Sequence, residues 1–171
     1  ATAVISARYA KHVAQSHGTR VEVWHLAEHA VNVGQIAEAA LTAVSTLSAR
    51  LGPMPDSVLR IVELPRWSGF GAFALRGMVL FPEHRGFMLD ARPGGVDLML
   101  RRVAHEVGHQ WWGHLVEPPQ AEGSVLLVES LAKDAELVVV GAVHGAAGVD
   151  AILAYDEDRY LVGRANEGAG E

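Results

Sequence analysis

Residues 101–116 read RRVAHEVGHQWWGHLV and hold three of the nine histidines together with a glutamate. On an α-helix four residues advance about 400°, so His105 and His109 sit about 40° apart and one turn apart along the axis. Two imidazoles placed this way converge on a single ion. Glu106 lies about 100° around from His105, within reach of a metal's open position without being a ligand, as a general base acting on water requires. This is the His-Glu-x-x-His pattern of zinc hydrolases, for which this composition gives about 0.035 chance matches.

A catalytic zinc takes three protein ligands. The chain has no cysteine, so the third must be His, Asp or Glu. His114 stands five residues beyond His109 and points about 140° away while the helix persists. Trp112 and Leu115 occupy the places that the longer His-x-x-Gly-x-x-His spacing gives to Gly and His. The better candidate is Glu129, in GSVLLVESLAKDAELVVV. It follows an apolar run, so its carboxylate is expected to be drawn toward the interior, where it needs a partner such as a metal. Glu136, seven residues on and about 20° off the same face, is placed to accept the outward N–H of a ligating imidazole. The alternative makes both acids a solvated stripe with Lys133 and Asp134, and the loop acids Glu117 and Glu122 are rivals for the ligand position.

The elements that must position these groups follow from periodicity. Residues 2–9 and 19–26 are rich in Val, Thr, Ile, Tyr and Trp and read as strands about a Ser-His-Gly turn at 16–18. Val33, Ile36, Ala40, Val44, Leu47 and Leu51 recur at helical spacing and are closed by Gly52 and Pro53. Residues 58–65 and 73–82 read as strands, and 97–112 and 124–140 as helices. The order predicts an α+β domain. Trp111 and Trp112 are expected to serve the core, with at least one packed under the sheet. Gly69, Gly71 and Gly77 are expected to form a turn rather than a phosphate cradle, since no Lys and Ser/Thr at a helix start follow them. His12, His17, His25, His29, His84 and His144 show no ligand spacing among themselves and read as surface or packing residues.

Composition narrows the partners. The chain has 171 residues, 50% hydrophobic, with net charge −6 and only 14 Lys+Arg. That length suits one domain. No basic surface is available for nucleic acid or anionic lipid. The apolar run LVVVGAV at 137–143 falls short of the roughly 20 residues a bilayer span needs, so no membrane contact is expected from this segment. ATAVISARYA has neither an initiator Met nor a signal-like pattern, which predicts a piece of a longer protein.

The two motifs together resemble the gluzincin metallopeptidases of the aminopeptidase N type. HEVGHQWWGHLV is similar to that family's H-E-x-x-H-x-W-F-G-N-x-V, and VESLAKDAE to its N-E-G-F-A-x-x-x-E. The resemblance spans about residues 20–165 and is specific at the two motifs. It implies a thermolysin-like zincin catalytic domain, a small mixed sheet packed on helices that carry the zinc motifs. It implies His105, His109 and Glu129 as zinc ligands, Glu106 as catalytic base and Glu136 as the acid behind them, acting on a peptide or protein substrate. Residues 1–25 would be the end of a preceding β-rich domain, and 26–171 the catalytic domain, truncated before its C-terminal helical part.

The pattern departs from the family at four places. Nineteen residues separate His109 from Glu129 where eighteen are usual, and the extra one is expected in the EPPQAEG loop. GAFALRG aligns with the family's G-A-M-E-N-W-G, which puts Ala74 where an acid normally captures a free α-amine. In that family the strand edge pairs with the extended substrate, so Gly71, Ala72, Phe73 and Ala74 are the expected peptide-binding residues. His114 stands where the family has Asn. The oxyanion-stabilising Tyr comes well downstream of the glutamate ligand, and Tyr155 and Tyr160 come too early for it.

Overall fold

A computed structural model describes residues 4–16, 18–68, 71–90 and 96–167. Five strands, β1 (Tyr9–Ser16), β2 (Thr19–Leu26), β3 (Val58–Leu64), β4 (Phe73–Leu75) and β5 (Met78–Pro82), form one mixed sheet in the order β1-β2-β3-β5-β4. The inner pairs β2/β3 and β3/β5 are parallel, and the outer pairs β1/β2 and β4/β5 are antiparallel. The chain is therefore α+β with a mixed sheet, as the element order predicts.

Among the described residues three helical segments accompany the sheet: α1 (Val33–Leu51), α2 (Leu98–Gly108) and α3 (Ser124–Glu167). The apolar stripe of α1 buries Ile36, Ala40, Val44 and Leu47 in the core with Val21, Val23, Leu59 and Ile61 of the sheet. Ile36 is fully buried, a burial that contributes about 1.5–3 kcal/mol. α1 stops at Gly52, whose φ of +94° is readily adopted only by glycine. Asp97 caps α2 by accepting the Leu100 N–H at 3.0 Å, and its other oxygen lies 3.0 Å from His144 Nε2 on α3.

Four expectations shift. The first strand runs 9–16 rather than 2–9, because the hairpin turns at Gly18 (φ +85°) and Tyr9 is the residue opposite Leu26; residues 1–3 and His17 lie outside the described residues. The boundary drawn at residue 25 cuts through β2, which is hydrogen-bonded to β3 and fully buries Val21 and Val23, so the sheet is continuous across it. Residues 73–82 make two strands, since Arg76 and Gly77 (φ +67°) turn the chain back. The last helical segment runs past 140 to 167 but is broken at Gly145, whose backbone is non-helical (φ +67°, ψ −166°). A further helix therefore follows, as AYDEDRYLVGR predicts, and the contact of Lys133 with Asp156 shows it folding back along the first.

That continuation extends the apolar run. No Asp, Glu, Lys or Arg occurs between Glu136 and Asp150, and α3 passes for a membrane-crossing helix by length and composition alone, although the break at Gly145 divides it. Only 17% of its most apolar stretch is buried.

α2 and α3 meet closely at Gly108, where an added Cβ would stand 2.9 Å from the Ala135 Cβ. Gly108→Val should therefore cost about 1–3 kcal/mol through overpacking. Gly34→Ala on α1, where nothing lies within 4 Å, should not destabilise the fold. Urea denaturation of the two variants checks this: equal losses would mean that the α2–α3 contact is not as tight as its geometry indicates.

Candidate metal centre

α2 ends at Gly108, yet His109 keeps helical backbone angles (φ −63°, ψ −16°), so the one-turn stagger of His105 and His109 survives. Their ring centroids are 5.0 Å apart. Glu129, in the second turn of α3, completes the group: His105 Nε2 lies 3.2 Å from Glu129 Oε2, and His109 Nε2 3.6 Å from Glu129 Oε1. The three potential ligand atoms lie within 4.8 Å of one another. The EPPQAEG loop, where the extra residue is expected, lies among the turns and irregular backbone that join α2 to α3.

Each imidazole turns its other nitrogen to a fixed partner. His109 Nδ1 donates to the Trp112 carbonyl at 3.1 Å. His105 Nδ1 lies 3.5 Å from Glu136 Oε2. Such contacts hold each ring so that Nε2 faces the shared centre. Glu136 is buried and also accepts Arg101 Nε at 2.8 Å and Lys133 Nζ at 2.5 Å. Arg101 and Lys133 both reach on to Asp156, which ties the second half of α3 into the same network.

Glu129 corrects one expectation. Its side chain is 54% exposed rather than drawn inward, because Val125, Leu126 and Leu127, the apolar run before it, are themselves exposed. Its position at the mouth, not burial, brings it to the two imidazoles. His114 faces away from them: its Nε2 lies 3.2 Å from the Ala74 carbonyl. Glu117 and Glu122 are exposed and belong to no converging group among the described residues.

Protonation follows from the packing. Burial lowers the pKa of His109, and the neighbouring His105 charge adds to it against the Trp112 hydrogen bond, favouring a neutral ring with Nε2 able to bind metal. Burial also lowers that of His105, but the Glu136 hydrogen bond and the charges of Glu106, Glu136 and Glu129 outweigh it, leaving the net shift upward. Burial pushes Glu136 up, yet its hydrogen bonds from His105, Lys133 and Arg101 hold it below the ordinary carboxylate range. Burial raises Glu106 to about 7, with Glu129 adding to the rise and His105 and Arg85 opposing it.

The edge strand behaves partly as expected. β4 lies at the end of the sheet with Gly71 and Ala72 leading into it, and Phe73 is exposed. The Ala74 carbonyl, however, already faces His114, and Gln110 bridges the hairpin by donating to Leu75 O and accepting from Gly77 N. Trp111 is buried and donates to Gly52 O at 3.1 Å, as a core residue. Gly69 lies outside the described residues.

A second converging group, His29, Glu63 and Glu83, carries no sequence signal because its members are 34 and 20 residues apart. Glu63 is almost fully buried, and its two oxygens face His29 Nδ1 and the Leu26 N–H, so it is satisfied as an ion pair. Its hydrogen bond to His29 outweighs burial and raises the histidine's pKa above 6.5. The stabilisation from this pair is then full below about pH 6.5 and lost as pH rises through the raised value. Denaturation stability of the unsubstituted chain should fall between about pH 6 and pH 8 more steeply than that of His29→Gln; parallel pH profiles would show that His29 does not titrate against Glu63.

No protein-family model matches the sequence, and no curated protein matches it either.

Proposed function

We propose that this chain is the catalytic core of a zinc metallopeptidase with a thermolysin-like arrangement. The observation that carries the reading is the convergence of two Nε2 atoms on one carboxylate, with both Nδ1 atoms turned to other partners. Two neutral-capable imidazoles and one carboxylate form a donor set that suits zinc. His105, His109 and Glu129 would hold it. When bound, zinc supplies Lewis acidity that polarises a carbonyl and makes water more acidic.

Glu106 follows His105 directly on α2 and is 8% exposed. A carboxylate titrating near 7 at neutral pH is suited both to take a proton from the attacking water and to deliver it to the leaving amine. Glu136 and the Trp112 carbonyl orient the imidazoles. β4 offers an edge along which an extended peptide can align, beginning at Gly71 and Ala72. Ala74 offers no carboxylate to capture a free α-amine, so peptides with blocked and free N-termini should be handled alike.

A second reading, a zinc- or peptide-binding module without hydrolysis, draws on the tyrosines. Tyr9 donates to the Glu63 carbonyl, Tyr155 lies against Arg101 and Arg159, and Tyr160 is 65% exposed. None is seen to serve as an oxyanion donor. Zinc content and cleavage of an unstructured protein such as casein, measured on the same sample, separate the readings. One zinc with cleavage supports the peptidase, one zinc without cleavage supports a zinc-binding module, and no zinc with no cleavage removes the peptidase and leaves only a module that binds peptide without metal.

A further inference from the structure

A cavity of about 380 Å³ adjoins Glu106 and opens toward Gly71 and Ala72, the residues that lead into the edge strand. Its walls are unusually cationic for a chain of net charge −6. Arg101 and Lys133 line it, but their charges are matched by Glu136 and Asp156. Three further arginines remain: Arg85 from the turn after β5, Arg102 from α2 and Arg159 from the second half of α3.

No carboxylate among the described residues forms an ion pair with any of these three. Arg102 Nη1 donates to the Arg85 backbone carbonyl at 2.9 Å, and Arg159 lies over the Tyr155 ring at 5.7 Å. Arg85 and Arg159 are exposed, and each alone would be an ordinary solvated charge. Their arrival at one opening from three separate elements is what distinguishes them. Burial, foremost, and the like charges of Arg85, Arg101 and Arg159, against the neighbouring Tyr155, pull the Arg102 guanidinium below its ordinary value. It remains charged at neutral pH.

Guanidinium groups match the planar fork of a carboxylate and bind it with charge-assisted hydrogen bonds. We propose that this opening is a carboxylate subsite beside the catalytic centre, formed by Arg85, Arg102 and Arg159, which takes an acidic side chain or free C-terminal carboxylate of a peptide. The proposal rests on the metallopeptidase reading for its place beside the scissile bond. The binding itself depends only on the three arginines.

Three N-acetylated peptides test it by calorimetric titration onto the full chain carrying Glu106→Gln, in zinc-containing buffer. These are Ala-Ala-Glu-Ala amide, Ala-Ala-Gln-Ala with a free C-terminus, and Ala-Ala-Gln-Ala amide. At least one anionic peptide should bind about tenfold more tightly than the neutral amide, and the responding peptide identifies which carboxylate is read. Adding Arg102→Leu or the exposed Arg159→Gln should each reduce that advantage, leaving the neutral peptide unchanged.

Equal affinity for all three peptides, no binding of any, or a preference that survives both arginine substitutions would overturn the subsite. Zinc content and cleavage of the neutral peptide, measured on the unsubstituted chain, report separately on the hydrolase. Cleavage without an acid preference removes the subsite alone. An arginine-dependent acid preference without zinc or cleavage upholds the subsite and removes the hydrolase reading.

Discussion

Glu106→Gln should retain zinc and lose peptide hydrolysis by about 10²–10⁴-fold, the range over which a positioned general base contributes. The amide is nearly isosteric with the carboxyl group, so the packing of this 8%-exposed side chain should persist. It cannot accept the water's proton at neutral pH. His105, His109 and Glu129 are untouched, so zinc stoichiometry should remain that of the unsubstituted chain. Substituting an amide for a buried carboxyl group raised to about 7 also removes the penalty of ionising it, so stability near pH 8 should not fall. Steady-state cleavage beside metal analysis reads both effects, and undiminished turnover in this variant would remove Glu106 from the mechanism.

Removing the carboxylate behind the site should have the second large effect, on stability as well as metal affinity. Glu136 is 2% exposed and gathers Arg101, Lys133 and His105 around one carboxylate. Glu136→Ala leaves cations without their central partner in a largely enclosed network. Breaking a buried pair in this way costs about 3–5 kcal/mol; Asp156, which reaches both Arg101 and Lys133, places the expectation at the lower end. The same change frees the His105 ring to rotate, and loss of such an orienting partner typically weakens metal binding about 10–100-fold. Denaturant titration and zinc competition against a chromophoric chelator measure the two losses. A variant as stable as the unsubstituted chain, with unchanged zinc affinity, would show that Glu136 neither anchors α3 nor orients His105.

How much of this was legible in sequence depended on whether the signal was local. The stagger of His105 and His109 is a property of four successive helical residues, and it survives because His109 keeps helical angles one residue beyond the end of α2. The stripe of α1 was readable for the same reason, through a 3.6-residue period ending at Gly52. Glu136 was placed by its seven-residue offset from Glu129 on one helix. What sequence could not supply was the relation between elements. Glu129 was expected inside and lies at the mouth, because an exposed apolar run precedes it. β1 was assigned too early because residues 2–9 and 9–16 both contain strand formers, and only pairing with β2 decides the register.

His114 illustrates the same limit from the other side. Spacing separated it from the candidate ligand group, but its contact with the Ala74 carbonyl, 40 residues away, has no sequence signature. The gathering of Arg85, Arg102 and Arg159 is equally non-local, and so is the pairing of His29 with Glu63. In this chain the turn bearing the candidate ligands is written in adjacent residues, whereas the groups that surround it are brought together by the sheet and by the break in α3 at Gly145.

Diffraction at the zinc absorption edge, on crystals of the chain grown with zinc, locates the ion directly. An anomalous peak is expected bonded to His105 Nε2, His109 Nε2 and a Glu129 oxygen, at about 2.0–2.2 Å from each. A peak at His29, Glu63 and Glu83 instead, or none between the two imidazoles, would contradict that placement.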